Sequence, residues 1–207
     1  MTRSRPAGRP TAADGDRTRG LLIQAAVHLF ARQGLAHTTL REVADAAGLS
    51  AGTLYHYFGS KNALYREAYL WAVHDQLKAS REACAAAGTV RQKVVAILDA
   101  TQARSVSAPD VGLFLLRAWV ERNAADQEPL PIPQEVLDFY DSIARDGIAS
   151  GELTPAQGQQ VIDAIRCMTW GVSAIAVTGR LPDDGVEGMK LFVTGALDRA
   201  GPSATAG

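Results

Sequence analysis

Thr39-Leu-Arg-Glu-Val-Ala-Asp-Ala-Ala-Gly48-Leu-Ser-Ala-Gly-Thr-Leu-Tyr-His-Tyr-Phe58 is the stretch on which the reading of this chain turns. Thr39 and Glu42 have capping-box spacing. The Thr39 hydroxyl can accept the amide three residues on, and the Glu42 carboxylate can reach back to the Thr39 amide. A helix is therefore expected from Leu40 to Ala47. Gly48 can take the left-handed conformation that a sharp turn requires. Ser50 caps a third helix, about Ala51 to Phe58. Helices this short do not hold alone, so they need a shared core. Ala44 is small where the second helix must cross the third, and Leu49 and Leu54 point back toward Leu40, Val43 and Phe58. A small residue, a glycine four on and a leucine ten on is helix-turn-helix spacing.

The outward side of the third helix starts Ser50-Ala51-Gly52-Thr53. Such small side chains let the helix N-terminus approach a groove floor or a phosphate closely, and its free amides and positive dipole end favour the phosphate. Tyr55, His56 and Tyr57 can hydrogen-bond phosphate oxygens from the flanks. Lys61 adds a positive charge, and Arg41 on the second helix can reach a base edge or the backbone. Charge placement agrees with this. Residues 1–80 hold ten Lys/Arg and six Asp/Glu, whereas residues 81–207 hold eleven and sixteen. The net charge of −1 thus conceals a basic N-terminal third, the part expected to meet an anionic partner.

Working outward, the periodicity is helical almost throughout. Leu22, Ala26, Leu29, Phe30 and Gln33 trace one face of a first helix that Gly34 stops. Ser60 caps a fourth, about Lys61 to Ala83. A fifth runs from about Val90 to Ser105, and Ser107-Ala-Pro-Asp110 opens a sixth. A proline-rich loop, Asp126 to Pro133, precedes a seventh that ends at Gly151. Thr154-Pro-Ala-Gln157 combines a capping box with a Pro at the first helical position and opens an eighth, to about Thr178. Met189, Phe192, Val193, Ala196 and Leu197 form the amphipathic stripe of a ninth. The expected fold class is all-α, with about nine helices. The expected division is a disordered basic arm at 1–15, a helix-turn-helix domain at 16–60, a ligand-binding and dimerisation domain at 61–200, and a disordered tail at 201–207.

The run Thr38 to Leu64, with the capping box, the Gly48 turn and Thr53-Leu-Tyr55-His-Tyr57-Phe-Gly-Ser-Lys61, resembles the DNA-binding domain of the tetracycline-repressor (TetR) family over about residues 17–70. The resemblance implies a dimeric regulator that releases a pseudo-palindromic double-stranded operator when a small molecule binds the C-terminal domain. It implies that Arg41, Ala51, Gly52 and Thr53 approach bases. It implies that Thr39, Ser50, Tyr55, His56, Tyr57 and Lys61 hold phosphates. Beyond this segment the resemblance lies in helix count and in Gly151-Glu152-Leu153.

The C-terminal part shows no catalytic constellation and no metal spacing among its histidines. No enzyme activity, cofactor or metal is expected. Phe114, Trp119, Phe139, Tyr140, Met168 and Trp170 either line an apolar ligand cavity or pack a core. Arg117 either meets a ligand or pairs with Glu121. Small residues on the eighth helix and the stripe of the ninth suit a four-helix bundle built from two subunits, or the core of a monomer. Arg3, Arg5 and Arg9 suit a minor-groove arm or a solvated tail. Cys84 and Cys167 form no disulfide framework. No apolar N-terminal segment resembles a signal peptide, and the run Met168 to Val177 is too short to span a bilayer. A cytoplasmic protein without a membrane partner is expected.

Two rival classes remain open at this point. One is a helical binding or structural protein without regulated DNA binding. The other is a serine hydrolase, because Gly48-Leu-Ser50-Ala-Gly52 matches the GxSxG nucleophile elbow by letter; that elbow requires a strand before the serine.

Overall fold

The computed structural model describes residues 12–124, 130–178 and 183–198, and every regular element among them is an α-helix. In chain order these are α1 (Ala12–His37), α2 (Leu40–Ala46), α3 (Ala51–Phe58), α4 (Lys61–Cys84), α5 (Val90–Ser107), α6 (Pro109–Ala124), α7 (Gln134–Ala149), α8 (Pro155–Val177) and α9 (Asp183–Asp198). The expected arm residues Arg3, Arg5 and Arg9, the start of the proline-rich loop and the tail at 201–207 lie outside the described residues. α1 begins at Ala12, inside the expected arm. Two alanines favour helix there, and Asp14 in the first turn complements the dipole. Gly34 interrupts α1 with φ 79° and ψ 170°, and the buried Thr38 hydroxyl donates to the Gly34 carbonyl at 2.8 Å.

The chain divides into two compact units after Ala68, within α4. The first two turns of α4 thus belong to the N-terminal unit. Leu64, Tyr65 and Ala68 are buried there with Leu22, Ala26 and Phe30 of α1, and the Tyr65 ring meets Phe30 edge-on at 4.9 Å. Arg19 of α1 lies over the Phe58 ring, 5.7 Å from its centre, and pairs with Glu67 at 2.5 Å. Each fully buried Leu or Phe contributes roughly 1.5–3 kcal/mol, so this cluster is what holds the short α2 and α3 in place.

In the C-terminal unit α8 packs on α5, α6 and α7, and α5 also packs on α6, α7 and α9. Val90, Ile97, Leu98, Ile143, Ile165 and Val172 form the centre of the core. The Gly151-Glu152-Leu153 corner ties three elements together. Gly151 turns the chain at φ 79°, the Glu152 carboxylate accepts the Val90 amide at the start of α5 at 2.9 Å, and Leu153 is buried. Gly147 faces this corner. A Cβ there would lie 2.8 Å from Leu153 Cδ1 and closer still to Val90 Cγ2.

With 23 residues and an 18-residue window of mean hydropathy 1.2, α8 is long and apolar enough to cross a membrane by length and composition alone. The run considered from the sequence was shorter because Asp163 and Arg166 interrupt the apolar letters. On α9, Val186 and Val193 are buried and Met189 packs on the core, while Leu191 and Phe192 are 74% and 82% exposed. Phe192 therefore leaves the face it was expected to share with Met189 and Val193. The side chains of Ala196 and Leu197 lie outside the described residues.

Candidate nucleic-acid interface and effector cavity

The Thr39–Phe58 segment is built as a helix-turn-helix by local hydrogen bonds. The Glu42 amide donates to Thr39 Oγ1 at 3.2 Å, and the Glu42 carboxylate accepts the Thr39 amide at 2.8 Å. The Thr39 hydroxyl also donates to the Glu42 carboxylate, at 2.8 Å, and this bond first, with that from the Thr39 amide, holds the Glu42 carboxyl below its ordinary pKa. Gly48 takes φ 68°, the left-handed value that costs a residue with a Cβ most. Val43, Ala44, Leu54 and Phe58 are buried, and Leu40 and Leu49 are partly so.

α3 then presents its N-terminus to solvent. The Thr53 amide donates to Ser50 Oγ at 3.0 Å, and the Ser50 and Thr53 hydroxyls share a bond at 2.8 Å. Ser50 and Gly52 are exposed and Ala51 and Thr53 half-exposed. Tyr55 is 55% exposed and His56 is exposed, with Tyr57 edge-on to His56 at 5.5 Å. Tyr57 is half-buried, its hydroxyl beside Gly15 of α1. Arg41 is largely exposed, 3.9 Å from Asp45 one turn on; such an exposed pair is weak and leaves the guanidinium free to reach outward. Lys61 makes contacts that its sequence position did not reveal. Its ammonium donates to the carbonyls of Leu35 at 2.8 Å and Ala36 at 3.4 Å, tying the end of α1 to the start of α4.

The same geometry bears on the GxSxG match. Ser50 follows a helix and a glycine turn, and its oxygen is engaged as the cap of α3. Among the described residues there is no strand to form an elbow, and no three His, Cys, Asp or Glu side chains gather to hold a metal ion.

Within the C-terminal unit, α4, α6, α7, α8, Thr101 of α5 and the segment before α7 surround a cavity of about 430 Å³. Of the seven residues named from the sequence as ligand-binding, Trp119, Tyr140 and Trp170 line it. The two indoles lie 5.5 Å apart. The other four do not line it. Phe114 is fully buried in the core, Phe139 and Met168 pack against the core cluster, and Arg117 on α6 is outside the lining set.

Helix phase explains the split. On α6 the cavity receives Gly112, Leu115, Ala118 and Trp119, spaced i, i+3, i+6, i+7; position 114 lies just beyond the edge of that arc, where the helix turns to the core. On α8 the lining residues are Gln159, Ile162, Arg166, Thr169, Trp170 and Ser173, which leaves Met168 off that stripe. The sequence reading also missed Tyr69, Val73, Gln76 and Leu77 of α4. Their signal was a helical stripe mixing aromatic, apolar and amide residues where a plain core stripe has none of the last. Burial pushes the Tyr140 phenol pKa up, with the positive charge of Arg166 opposing, so the phenol enters the cavity wall as a neutral hydroxyl.

Comparison with known proteins accords with both units. Residues 22–68 match the family model of bacterial regulatory proteins, tetR family. The transcriptional repressor KstR2 of Rhodococcus jostii is 45% identical over 62 residues, 30% of this chain and 29% of that protein. The transcriptional regulator BetI 1 of Chromohalobacter salexigens is 32% identical over 102 residues, 48% of each chain. The matched stretch thus spans under a third of the first relative and about half of the second. Among solved structures, a TetR-family transcription regulator of Marinobacter aquaeolei superposes with a TM-score of 0.69 over 91% of this chain and 97% of that one, at 18% identity, a likeness of fold. Residues 22–68 thus carry the sequence pattern of the tetR family model, and the described residues have the fold of TetR-family regulators.

Proposed function

We propose that this chain is a ligand-responsive transcriptional repressor that acts as a homodimer on a pseudo-palindromic DNA operator. The observation that carries this reading is the exposed, small-residue N-terminus of α3, seated by the Gly48 turn and flanked by Arg41, Tyr55 and His56. Phosphate contacts from Thr39, Ser50, Tyr55, His56, Tyr57 and Lys61 would fix register, and Arg41, Ala51, Gly52 and Thr53 would face the bases. The exposed Ile175, Leu191 and Phe192 are apolar surface that a second copy would cover, and two copies would place two α3 helices on half-sites about 34–36 Å apart or a multiple of that distance.

The effector would occupy the cavity beside Trp119, Tyr140 and Trp170. α4 supplies side chains to that cavity and, earlier in its length, to the core that seats α2 and α3. A ligand that displaces α4 would change DNA affinity; a coupling of about 1–3 kcal/mol shifts it roughly 5- to 150-fold. In this reading the protein works in the cytoplasm and is not an enzyme.

Electrophoretic shift against the DNA upstream of its own gene tests the proposal. The expected result is retarded DNA, an affinity that falls steeply with salt, and loss of the shift for Arg41→Ala together with Tyr55→Phe. Equal binding to unrelated DNA at every salt concentration would refute it.

A further inference from the structure

The cavity wall is apolar where α6 and the segment before α7 supply it, through Leu115, Ala118, Leu130 and Ile132, and it carries polar side chains where α7 and α8 supply it, Tyr140 and Arg166 among them. The Tyr140 phenol is acted on by burial and by nearby charge, and by no hydrogen bond, although a covered tyrosine hydroxyl usually finds a partner. Its oxygen is not sealed off either. The sealed side-chain polar atoms without a partner do not include Tyr140 Oη, so the oxygen touches open space, and the space that Tyr140 lines is the cavity. The positive charge of Arg166 is felt at this phenol, which makes the two groups neighbours on the wall. Among the described residues the Arg166 guanidinium pairs with Asp163, one turn back on α8, at 3.8 Å, with both side chains about half exposed. Such a pair is worth little and leaves most of the guanidinium N–H donors open.

From this geometry we propose that the effector is an apolar molecule ending in a carboxylate, which takes hydrogen bonds from the Arg166 guanidinium and the Tyr140 hydroxyl while its apolar body lies against Trp119, Trp170 and the α6 side. The inference rests on reading the large cavity as the effector site. Both polar groups come to the ligand as donors. A guanidinium has no acceptor, and the protonated phenol gives its O–H. A ligand acceptor satisfies both, and an ionised one makes the stronger bonds. An ammonium would bring donors to donors and a like charge to Arg166. Two carboxylates of the protein stand nearby. Asp163 holds Arg166 only loosely, so a ligand carboxylate can share or replace it. Asp141 also lines the cavity, but it follows Tyr140 by one residue and so points about 100° away round α7, and it is exposed, where water and salt screen its repulsion.

Titration calorimetry of the full-length protein with decanoate, 1-decanol and decylammonium tests the inference. Decanoate is expected to bind tightest and decylammonium weakest. Arg166→Gln removes the charge and should weaken decanoate roughly tenfold while leaving 1-decanol unchanged. Tyr140→Phe removes a hydroxyl that makes no bond to the protein, so its melting temperature should equal or exceed that of the parent, while decanoate and 1-decanol both bind several-fold more weakly. A purely structural tyrosine would give the reverse, a lower melting temperature and unchanged affinities. Circular dichroism and operator shift serve as folding controls. Decanoate affinity unchanged in either variant, or decylammonium that binds as tightly as decanoate, overturns the carboxylate assignment and leaves the effector cavity standing. If none of the three binds, the effector reading falls and takes the inference with it.

Discussion

Gly147 offers the sharpest test of the C-terminal packing. It lies inside α7, where glycine weakens a helix by roughly 0.5–1 kcal/mol relative to alanine; propensity alone therefore predicts that Gly147→Ala stabilises. The structure predicts the opposite. The added methyl would lie 2.8 Å from Leu153 Cδ1 and closer to Val90 Cγ2, and Val90 and Leu153 are themselves buried. The neighbouring backbone has little room to yield, because the Gly147 carbonyl accepts the Leu153 amide at 3.0 Å and Val90 is anchored through Glu152. Overpacking of this kind costs about 1–3 kcal/mol, so after the propensity gain a net loss of about 0.5–2 kcal/mol is expected. Urea denaturation followed by far-ultraviolet circular dichroism measures it. A double-mutant cycle with Val90→Ala isolates the cause. Removing Val90 Cγ2 leaves room for the new methyl, so the double variant should be less destabilised than the two singles added, by about 0.5–3 kcal/mol. A Gly147→Ala protein as stable as the parent, or strict additivity with Val90→Ala, would refute this account.

Four further outcomes follow from the geometry. Ser50→Ala removes the oxygen that accepts the Thr53 amide and should cost about 1 kcal/mol, read as a lower melting temperature together with weaker binding to every DNA sequence in a gel shift. Lys61→Met keeps the aliphatic stem but frees the carbonyls of Leu35 and Ala36. It should lower stability by about 0.5–1.5 kcal/mol and, if the ammonium also meets phosphate, reduce the salt slope of DNA binding by about 1. The Glu42 carboxyl has a depressed pKa in the folded state, so its cap stabilises the fold above the ordinary glutamate value of 4.5 and that contribution is lost as pH falls below it. The stability of Glu42→Gln should therefore vary less with pH across that window, as measured by melting temperature against pH. Trp119 and Trp170 line the cavity and Trp71 does not. A ligand there should change intrinsic fluorescence in Trp71→Phe and do so much less in Trp119→Phe/Trp170→Phe.

The N-terminal unit was legible because its determinants are local. A capping box spans four residues, the Gly48 turn depends on one residue's φ, and Ala44, Leu54 and Phe58 are brought together by two short helices and the turn between them. Their meaning needs no knowledge of distant parts of the chain, and the expected boundaries of α2, α3, α4, α5 and α8 lie within a residue or two of those observed. The start of α1 was missed because a proline- and glycine-rich composition obscured the alanines and Asp14 that begin it. Even in this unit, one fact was non-local. The bond from Lys61 to the carbonyls of Leu35 and Ala36 crosses 26 and 25 residues, so a lysine that reads as a free charge is also a clamp.

What the sequence by itself determined is the helical class, the helix-turn-helix and the residues that α3 offers outward, since each follows from hydrogen bonds and side-chain sizes within a few residues. Only the tertiary structure decided which face of each later helix meets a cavity and which meets the core. Composition and period give an apolar stripe but not its rotation against neighbours. That rotation is fixed by contacts such as Gly147 on Val90 and by Glu152 at the start of α5. For the same reason Trp119 and Trp170 line the cavity while Phe114 and Met168 are packed away, and only the assembled helices bring Tyr140 of α7 and Arg166 of α8 to the same cavity.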